Sequence, residues 1–317
     1  MKNLALIFCV FLCACVQKNL AYITNQGENT VSVIELTQSD IAQQKVINTI
    51  AVGKAPVGVA VSKKLQRVFI TNVDSQNISV IDSRTQQVID TITINGSPVG
   101  ISIAPDSKTL YVADWFSDRV IAISTANYAA QKEVLVEKAP AGLVVSPDSK
   151  TLYVAARDTN EIAVIDALTL KIHKKISVGK HPFGINISAD GGTLYAVNVY
   201  DNSVSIINTQ TWAQSQVKVG DHPYCAVASA DGKTLYVTNT LDDNVAVIDL
   251  ATHKTLANIE VGSTPEGIAY DAAGSRVLIA SWGSNNVSVI DAKTNKLIQK
   301  IKTGDKSRAF GQFILSP

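Results

Sequence analysis

A proline recurs along this chain at a nearly constant interval. Pro56, Pro98, Pro140, Pro182, Pro223 and Pro265 are separated by 42, 42, 42, 41 and 42 residues, and they open the segments APVGVAV, SPVGISI, APAGLVV, HPFGINI, HPYCAVA and TPEGIAY. The next step lands on Ser307, within SRAFGQFI. Self-similarity at a period of about 40 to 45 residues is the mark of a propeller, in which each repeat is one small sheet that buries its faces only by stacking on its neighbours.

Each period reads as four short strands, A to D. Strand A follows the proline. A polar turn such as PDSK or ADGK leads to strand B, for example TLYVAD or TLYVTN. A short Asp/Asn-containing loop leads to strand C, such as NISVID or NVAVID, and a second polar turn leads to strand D. Val, Ile, Thr and Tyr dominate these runs, as pleated and packed surfaces favour, and the turns carry the Asp, Gly and Ser that hairpins use. Strands B and C each occur seven times, whereas strand A reaches seven only if RAFGQFI is counted. The predicted fold is an all-β, seven-bladed propeller over residues 20–317. Its ring is closed by the C-terminal strand, which pairs with the N-terminal blade.

The motifs YITN (22–25), FITN (69–72) and YVTN (236–239), with neighbouring VSVID and PxGI elements, resemble the YVTN family of β-propeller repeat proteins. The terminal AFGQFI is similar to the last strand of that family. The resemblance implies the propeller fold, strand A beside a central channel, and ligands held at the channel mouth. It does not imply an activity, because one fold hosts many functions.

The N-terminal MKNLALIFCVFLCAC has the layout of an export signal, with Lys2 ahead of an apolar run too short to span a bilayer. LCAC resembles a bacterial lipobox. The expectation is therefore a lipoprotein-type signal at 1–14, a lipid on Cys15, and a short tether at 15–19. Ordinary cleavage near Ala14 is the alternative. In a Gram-negative source this would be a periplasmic, outer-membrane-anchored lipoprotein. Cys9 and Cys13 leave with the signal and Cys225 stands alone in the repeats, so no intramolecular disulfide framework is expected. With 28 Lys plus Arg against 27 Asp plus Glu, overall charge gives no support to nucleic-acid binding.

In antiparallel four-stranded blades the D-to-A and B-to-C loops share one face, here called the top. Around the prolines the repeats diverge on this face. Val57, Val99 and Ala141 follow the first three prolines, whereas Phe183, Tyr224, Glu266 and Arg308 follow the corresponding later positions, and His181 and His222 precede two of them. The B-to-C loops add Trp115, Arg157, Tyr200 and Trp282. Symmetric structural needs would repeat in every blade, so this asymmetry makes these ten residues the candidate ligand-binding set.

His181 and His222 are also weak metal candidates, which would need a third ligand such as Asp221, Glu266 or Cys225. The plainer reading is that both are loop histidines. Cys225 replaces a glycine found at positions 58, 100, 142, 184 and 267, so packing explains it better than nucleophilic reactivity. Asn77, Asn160, Asn202, Asn244 and Asn286 read as turn formers. No cofactor is identifiable from a motif, and CxxCH, the phosphate-loop glycines and HExxH are all absent. The leading reading is a non-catalytic cell-envelope binding or scaffold propeller, with a protein or small molecule at its top face and a membrane contact through the anchor. One alternative is a periplasmic accessory protein that binds a metal or redox cofactor of a quinone or haem system. Another is a lactonase-like hydrolase.

Overall fold

The structure is a computed structural model that describes residues 19–37 and 42–316. The signal segment, Cys15 and most of the tether lie outside the described residues. Among the described residues no helix is long and apolar enough to cross a membrane.

Seven small antiparallel sheets surround a central channel. Blade 1 holds β1 (Leu20–Asn25), β2 (Thr30–Glu35) and β3 (Lys45–Ala51). Blade 2 holds β4 (Pro56–Ser62), β5 (Arg67–Asn72), β6 (Asn77–Asp82) and β7 (Gln87–Thr93). Blade 3 runs through β8 (Pro98–Ile103), β9 (Thr109–Asp114), β10 (Arg119–Ser124) and β11 (Ala130–Leu135). Blade 4 runs through β12 (Pro140–Val145), β13 (Thr151–Ala156), β14 (Glu161–Asp166) and β15 (Ile172–Ser177). Blade 5 holds β16 (Pro182–Ile187), β17 (Thr193–Asn198), β18 (Ser203–Asn208) and β19 (Gln214–Lys218). Blade 6 holds β20 (Pro223–Ala228), β21 (Thr234–Asn239), β22 (Asn244–Asp249) and β23 (Lys254–Glu260). Blade 7 holds β24 (Pro265–Asp271), β25 (Arg276–Ser281), β26 (Asn286–Asp291) and β27 (Lys296–Lys302). Two short pieces, β28 (Phe310–Gly311) and β29 (Ile314–Leu315), complete the chain.

The second and third strands of each blade are buried on both faces because blades sandwich one another; β9 and β10, for example, bury nearly every residue. The outermost strands, such as β7, are mostly exposed.

The YVTN letters have distinct physical jobs. Tyr22, Phe69 and Tyr236 fill the space between blades and are fully buried or nearly so. The threonine hydroxyl joins neighbouring inner strands. Thr71 Oγ1 accepts the Gly58 N–H at 2.7 Å and donates to the Val99 carbonyl of the next blade at 3.1 Å. Thr24 links Ala309 to Val57, and Thr238 links Cys225 to Glu266, in the same way. The asparagine then ties the second strand to the third: Asn72 Nδ2 donates to Asn77 Oδ1 and Ser79 Oγ, at 2.8 and 2.9 Å.

Ring closure follows the expectation, with one added feature. β29 pairs antiparallel with β1, and the closing strand continues upward through Ala309, Arg308 and Ser307 alongside Thr24 and Asn25. In blade 2, three steps from Pro56 to Val59 face two steps from Asn72 to Ile70, a one-residue bulge. The other proline-led strands repeat that slip. On the closing strand, seven steps from Ser307 to Ile314 face four from Asn25 to Ala21. The two further residues emerge as β28, which pairs parallel with Gly58 and Val59 on the channel side of blade 2. Gly311 makes this possible: its φ is +109°, and a Cβ there would lie 2.6 Å from the Val59 carbonyl.

Deletion of residues 310–317 removes both β28 and β29 and bares the inner edge of β1 from Leu20 to Ile23, leaving only Ser307 to Ala309 beside Thr24 and Asn25. The expected outcome is loss of the cooperative melt and exposure of apolar surface, measured by circular dichroism and dye binding. A truncated protein that melts like the full chain would contradict this closure.

Candidate functional site

The top face is built by one device repeated around the ring. In each B-to-C loop a residue adopts the left-handed conformation, and in most blades its side chain accepts the N–H of the residue before the next proline. Asn160 Oδ1 receives His181 N at 2.9 Å, and Asn202 Oδ1 receives His222 N at 3.1 Å. Asn29, Asp118, Asp243 and Asn285 do the same for Ala55, Ala139, Thr264 and Lys306. Both ends of each link have positive φ, at 59° for Asn160 and 54° for His181. The turn-forming role expected of the loop asparagines holds for Asn160 and Asn202. At the other three sites the left-handed residue is one position earlier, at Gln76, Asp243 and Asn285. Asn77 and Asn244 are instead the acceptors for Asn72 and Asn239.

Five of the ten candidate residues form one continuous strip on these loops across blades 3 to 6. Short 3-10 turns at Trp115–Ser117, Arg157–Thr159 and Val199–Asp201 lift Trp115, Arg157 and Tyr200 onto the top face. The Arg157 guanidinium lies 5.5 Å from the Trp115 ring centre and 6.0 Å from that of Tyr200. Tyr200 stacks on His181 at 4.2 Å and meets His222 edge-on at 5.6 Å. Trp115 also leans on Phe183, at 5.7 Å. Tyr200 is 53% exposed, so the strip faces solvent. Trp282 is not part of it. Its Nε1 donates to Gln26, and Lys306 sits over its ring, on the blade 7 to blade 1 side.

The remaining candidates lie deeper and play another part. Phe183, Tyr224 and Phe310 pack together, with Phe183 4.3 Å from Tyr224 and 5.1 Å from Phe310. Val57 and Ala141, from other blades, join the same apolar cluster. Together they fill the top of the channel. Arg308 Nε donates to Glu266 Oε2 at 2.5 Å and its Nη2 donates to the Tyr224 hydroxyl at 2.7 Å, so three blades meet in a buried polar knot. Burial raises the Glu266 carboxyl above its usual range while Arg308 opposes that shift, and Glu266 and Tyr224 keep Arg308 protonated. Burial likewise raises the Cys225 thiol far above neutrality, and its side chain packs in the same apolar cluster.

The Tyr200 ring stands between His181 and His222, which belong to adjacent blades. His222 Nδ1 is bound to Asp221, which Asn202 also holds. Among the described residues no group of three or more His, Cys, Asp or Glu side chains is placed to hold a metal ion. Burial, and then the positive charge of Arg157, lower the His181 pKa below the ordinary 6.5.

A cavity of about 430 Å³ occupies the channel below the aromatic plug. It opens on the opposite, bottom face, where the A-to-B turns supply Pro105, Pro147, Ser188 and Ala272. The sequence placed the ligand mouth at the top; in the structure that mouth is filled, and the open end of the channel is at the bottom. The reason is steric. The large side chains after the later prolines point inward at the top, and the two extra residues of the closing strand deliver Phe310 to the same place.

The family description "Cytochrome D1 heme domain" matches residues 191–314, and "Lactonase, 7-bladed beta-propeller" matches residues 119–225. No curated protein matches the sequence. Among solved structures, the chain is similar to hydrazine synthase of Kuenenia stuttgartiensis at 21% identity and TM-score 0.76, over 85% of this chain and 91% of that one. It is similar to a functionally unknown protein of Desulfotomaculum acetoxidans at 18% identity and TM-score 0.77, over 92% of this chain and 100% of that one. A Lactobacillus plantarum protein gives 16% identity and TM-score 0.81, over 95% of this chain and 100% of that one.

Glu266→Gln leaves the buried Arg308 without its counter-charge and is expected to cost about 3 kcal/mol in denaturant unfolding, whereas Glu266→Val combined with Arg308→Leu recovers most of that loss. His181 folds with a lowered pKa, so it binds protons less readily than in the unfolded chain. Its contribution to stability is present above the unfolded value of 6.5 and is lost as the pH falls below it. Arg157→Leu removes one cause of that shift. Proton NMR titration should show the His181 ring titrating at higher pH in this variant than in wild type. These observations together place the chain among the seven-bladed β-propellers.

Proposed function

We propose that this chain is an exported, non-catalytic propeller of the cell envelope that binds a protein or small-molecule partner through its top face. The observation that carries the reading is the strip Trp115–Arg157–Tyr200–His181–His222. Four successive blades contribute four rings and one guanidinium, half-buried to exposed, that meet in a continuous line across the top face. Aromatic and arginine side chains are the groups that anchor most interfaces. The export signal and Cys15 support a lipoprotein, on the outer membrane in a Gram-negative source. β1 begins at the bottom face, where Leu20 pairs with Leu315. A lipid on Cys15, at most about 17 Å of extended chain away, would leave the top strip directed away from the membrane.

A second reading is favoured by the haem-domain match on residues 191–314: an accessory role in a redox system. The chain's own residues do not fit a haem group at the top of the channel. Phe183, Tyr224 and Phe310 fill that space, and Tyr200 covers His181. This reading therefore concerns a redox partner and not a bound haem. The lactonase match has less support, since the buried thiol of Cys225 and the Arg308-bound Glu266 supply neither a nucleophile nor a free base.

Partner capture from envelope extracts tests the leading reading. Wild-type protein is expected to retain a partner that a variant carrying Trp115→Ala, Arg157→Ala and Tyr200→Ala loses while melting normally. Equal capture by both would refute the top strip as the site. A Soret band in protein isolated from its native envelope would overturn the judgement on haem.

A further inference from the structure

The channel is a blind cup: plugged at the top by Phe183, Tyr224 and Phe310, open at the bottom, and about 430 Å³ in volume. Its wall has two properties that together specify a ligand. The first is charge. None of the residues lining the cup carries a charged side chain, in a chain of which 17% is charged. Ile103, Val144, Ile187 and Val227 alternate with the polar Ser102 and Asn186. An ion entering this space would lose its hydration without finding a partner, at a cost of several kcal/mol. The occupant is therefore neutral.

The second property is the backbone. β8, β12, β16, β20 and β24 are the terminal strands of their sheets and line the channel, and part of each inner edge lacks a strand partner; the Gly267 N–H and the Val99, Ala226 and Glu266 carbonyls are already hydrogen-bonded. Each such edge presents a row of N–H and C=O groups. A pure hydrocarbon in the cup would strip water from these groups, at about 1–3 kcal/mol for each one left unsatisfied. A ligand rich in amides would satisfy them. The protein already contains one instance of that solution. On blade 2 the inner edge is not free, because β28 lies in the channel and pairs with Gly58 and Val59 in parallel. The same chemistry is open to the other inner edges.

We propose that the bottom cup is a binding site for an uncharged, extended peptide-like ligand, which adds to an inner strand as β28 adds to β4. Recognition divides as it does in strand addition generally: backbone amides supply the hydrogen bonds and the Ile and Val walls select apolar side chains. At roughly 30 Å³ for each water-sized group, the cup takes about fourteen non-hydrogen groups, or two to three residues of backbone with small side chains. This site is independent of the top strip, on the opposite face.

The probes are N-acetyl-Ala-Ala-N-methylamide, the zwitterion Ala-Ala, and decan-1-ol, titrated into the full chain by calorimetry and by amide NMR. The expected result is saturable one-to-one binding of the capped peptide, with shifts at Ser102, Asn186 and Val227 and none at Tyr200. Binding of the zwitterion should be at least tenfold weaker. Ser102→Phe, which fills the cup, and Val144→Asp, which charges it, should each weaken capped-peptide binding at least tenfold, while Trp115→Ala leaves it unchanged. If either cup variant melts abnormally, the NMR shift pattern on wild-type protein decides. Binding of decan-1-ol in preference to the capped peptide would overturn the proposal in favour of a lipid-like ligand. So would absence of capped-peptide binding, equal binding of the zwitterion, or shifts confined to the top face.

Discussion

Everything in this ring depends on how closely neighbouring inner strands approach. At the Pro-x-Gly glycines a Cβ would sit at or within 2.5 Å of a carbonyl oxygen on the next blade: Val99 for Gly58, Ala141 for Gly100, Phe183 for Gly142, Tyr224 for Gly184 and Arg308 for Gly267. Such contacts are closed to ordinary side chains, so glycine is required by proximity at most of these positions. The threonine of the YVTN-like motifs then uses the approach, since only strands this close can share one hydroxyl between an N–H and a carbonyl. Cys225 is the tolerated exception. It stands where Thr238 bridges its N–H to the Glu266 carbonyl, and its small side chain is buried in the adjoining cluster.

Much of this was legible in the chain itself, because it repeats. The proline period, the B and C strands and the need for a borrowed closing strand all follow from counting. The repeat also exposed the residues that break it, and five of those ten do meet on one surface. What counting could not show is direction. Each proline-led inner strand carries a bulge, so simple alternation does not say whether the residue after the proline faces the channel or a neighbouring blade. Phe183, Tyr224, Glu266 and Arg308 were therefore grouped with the surface residues, although they close the channel from within. The two-residue excess before Ile314 was equally hidden. It falls in the one repeat that lacks the proline, where there is no fixed point from which to measure register.

The plug and the strip share a single cause. The residues around the later prolines are large, and the chain at that point is held in a left-handed turn by the preceding loop. The residue before the proline is thereby turned outward, as His181 and His222 are, and the residue after it inward, as Phe183 and Tyr224 are. Enlarging both positions in blades 5 and 6 builds an exposed aromatic surface and blocks the channel beneath it. The contact of Trp115 with Phe183 joins the two layers, so the strip rests on a packed floor and not on an open pore. A propeller with small residues at these positions, as in blades 2 to 4 here, would keep an open top mouth and a flat rim. In this chain the same few substitutions convert a pore into a platform on one face and a cup on the other. A ligand of the platform and a ligand of the cup therefore have no shared space in which to compete. The two are joined by the Phe183–Phe310 contact, where β28 reaches the plug, and by β16 and β20, which run from His181 and His222 down to the wall of the cup.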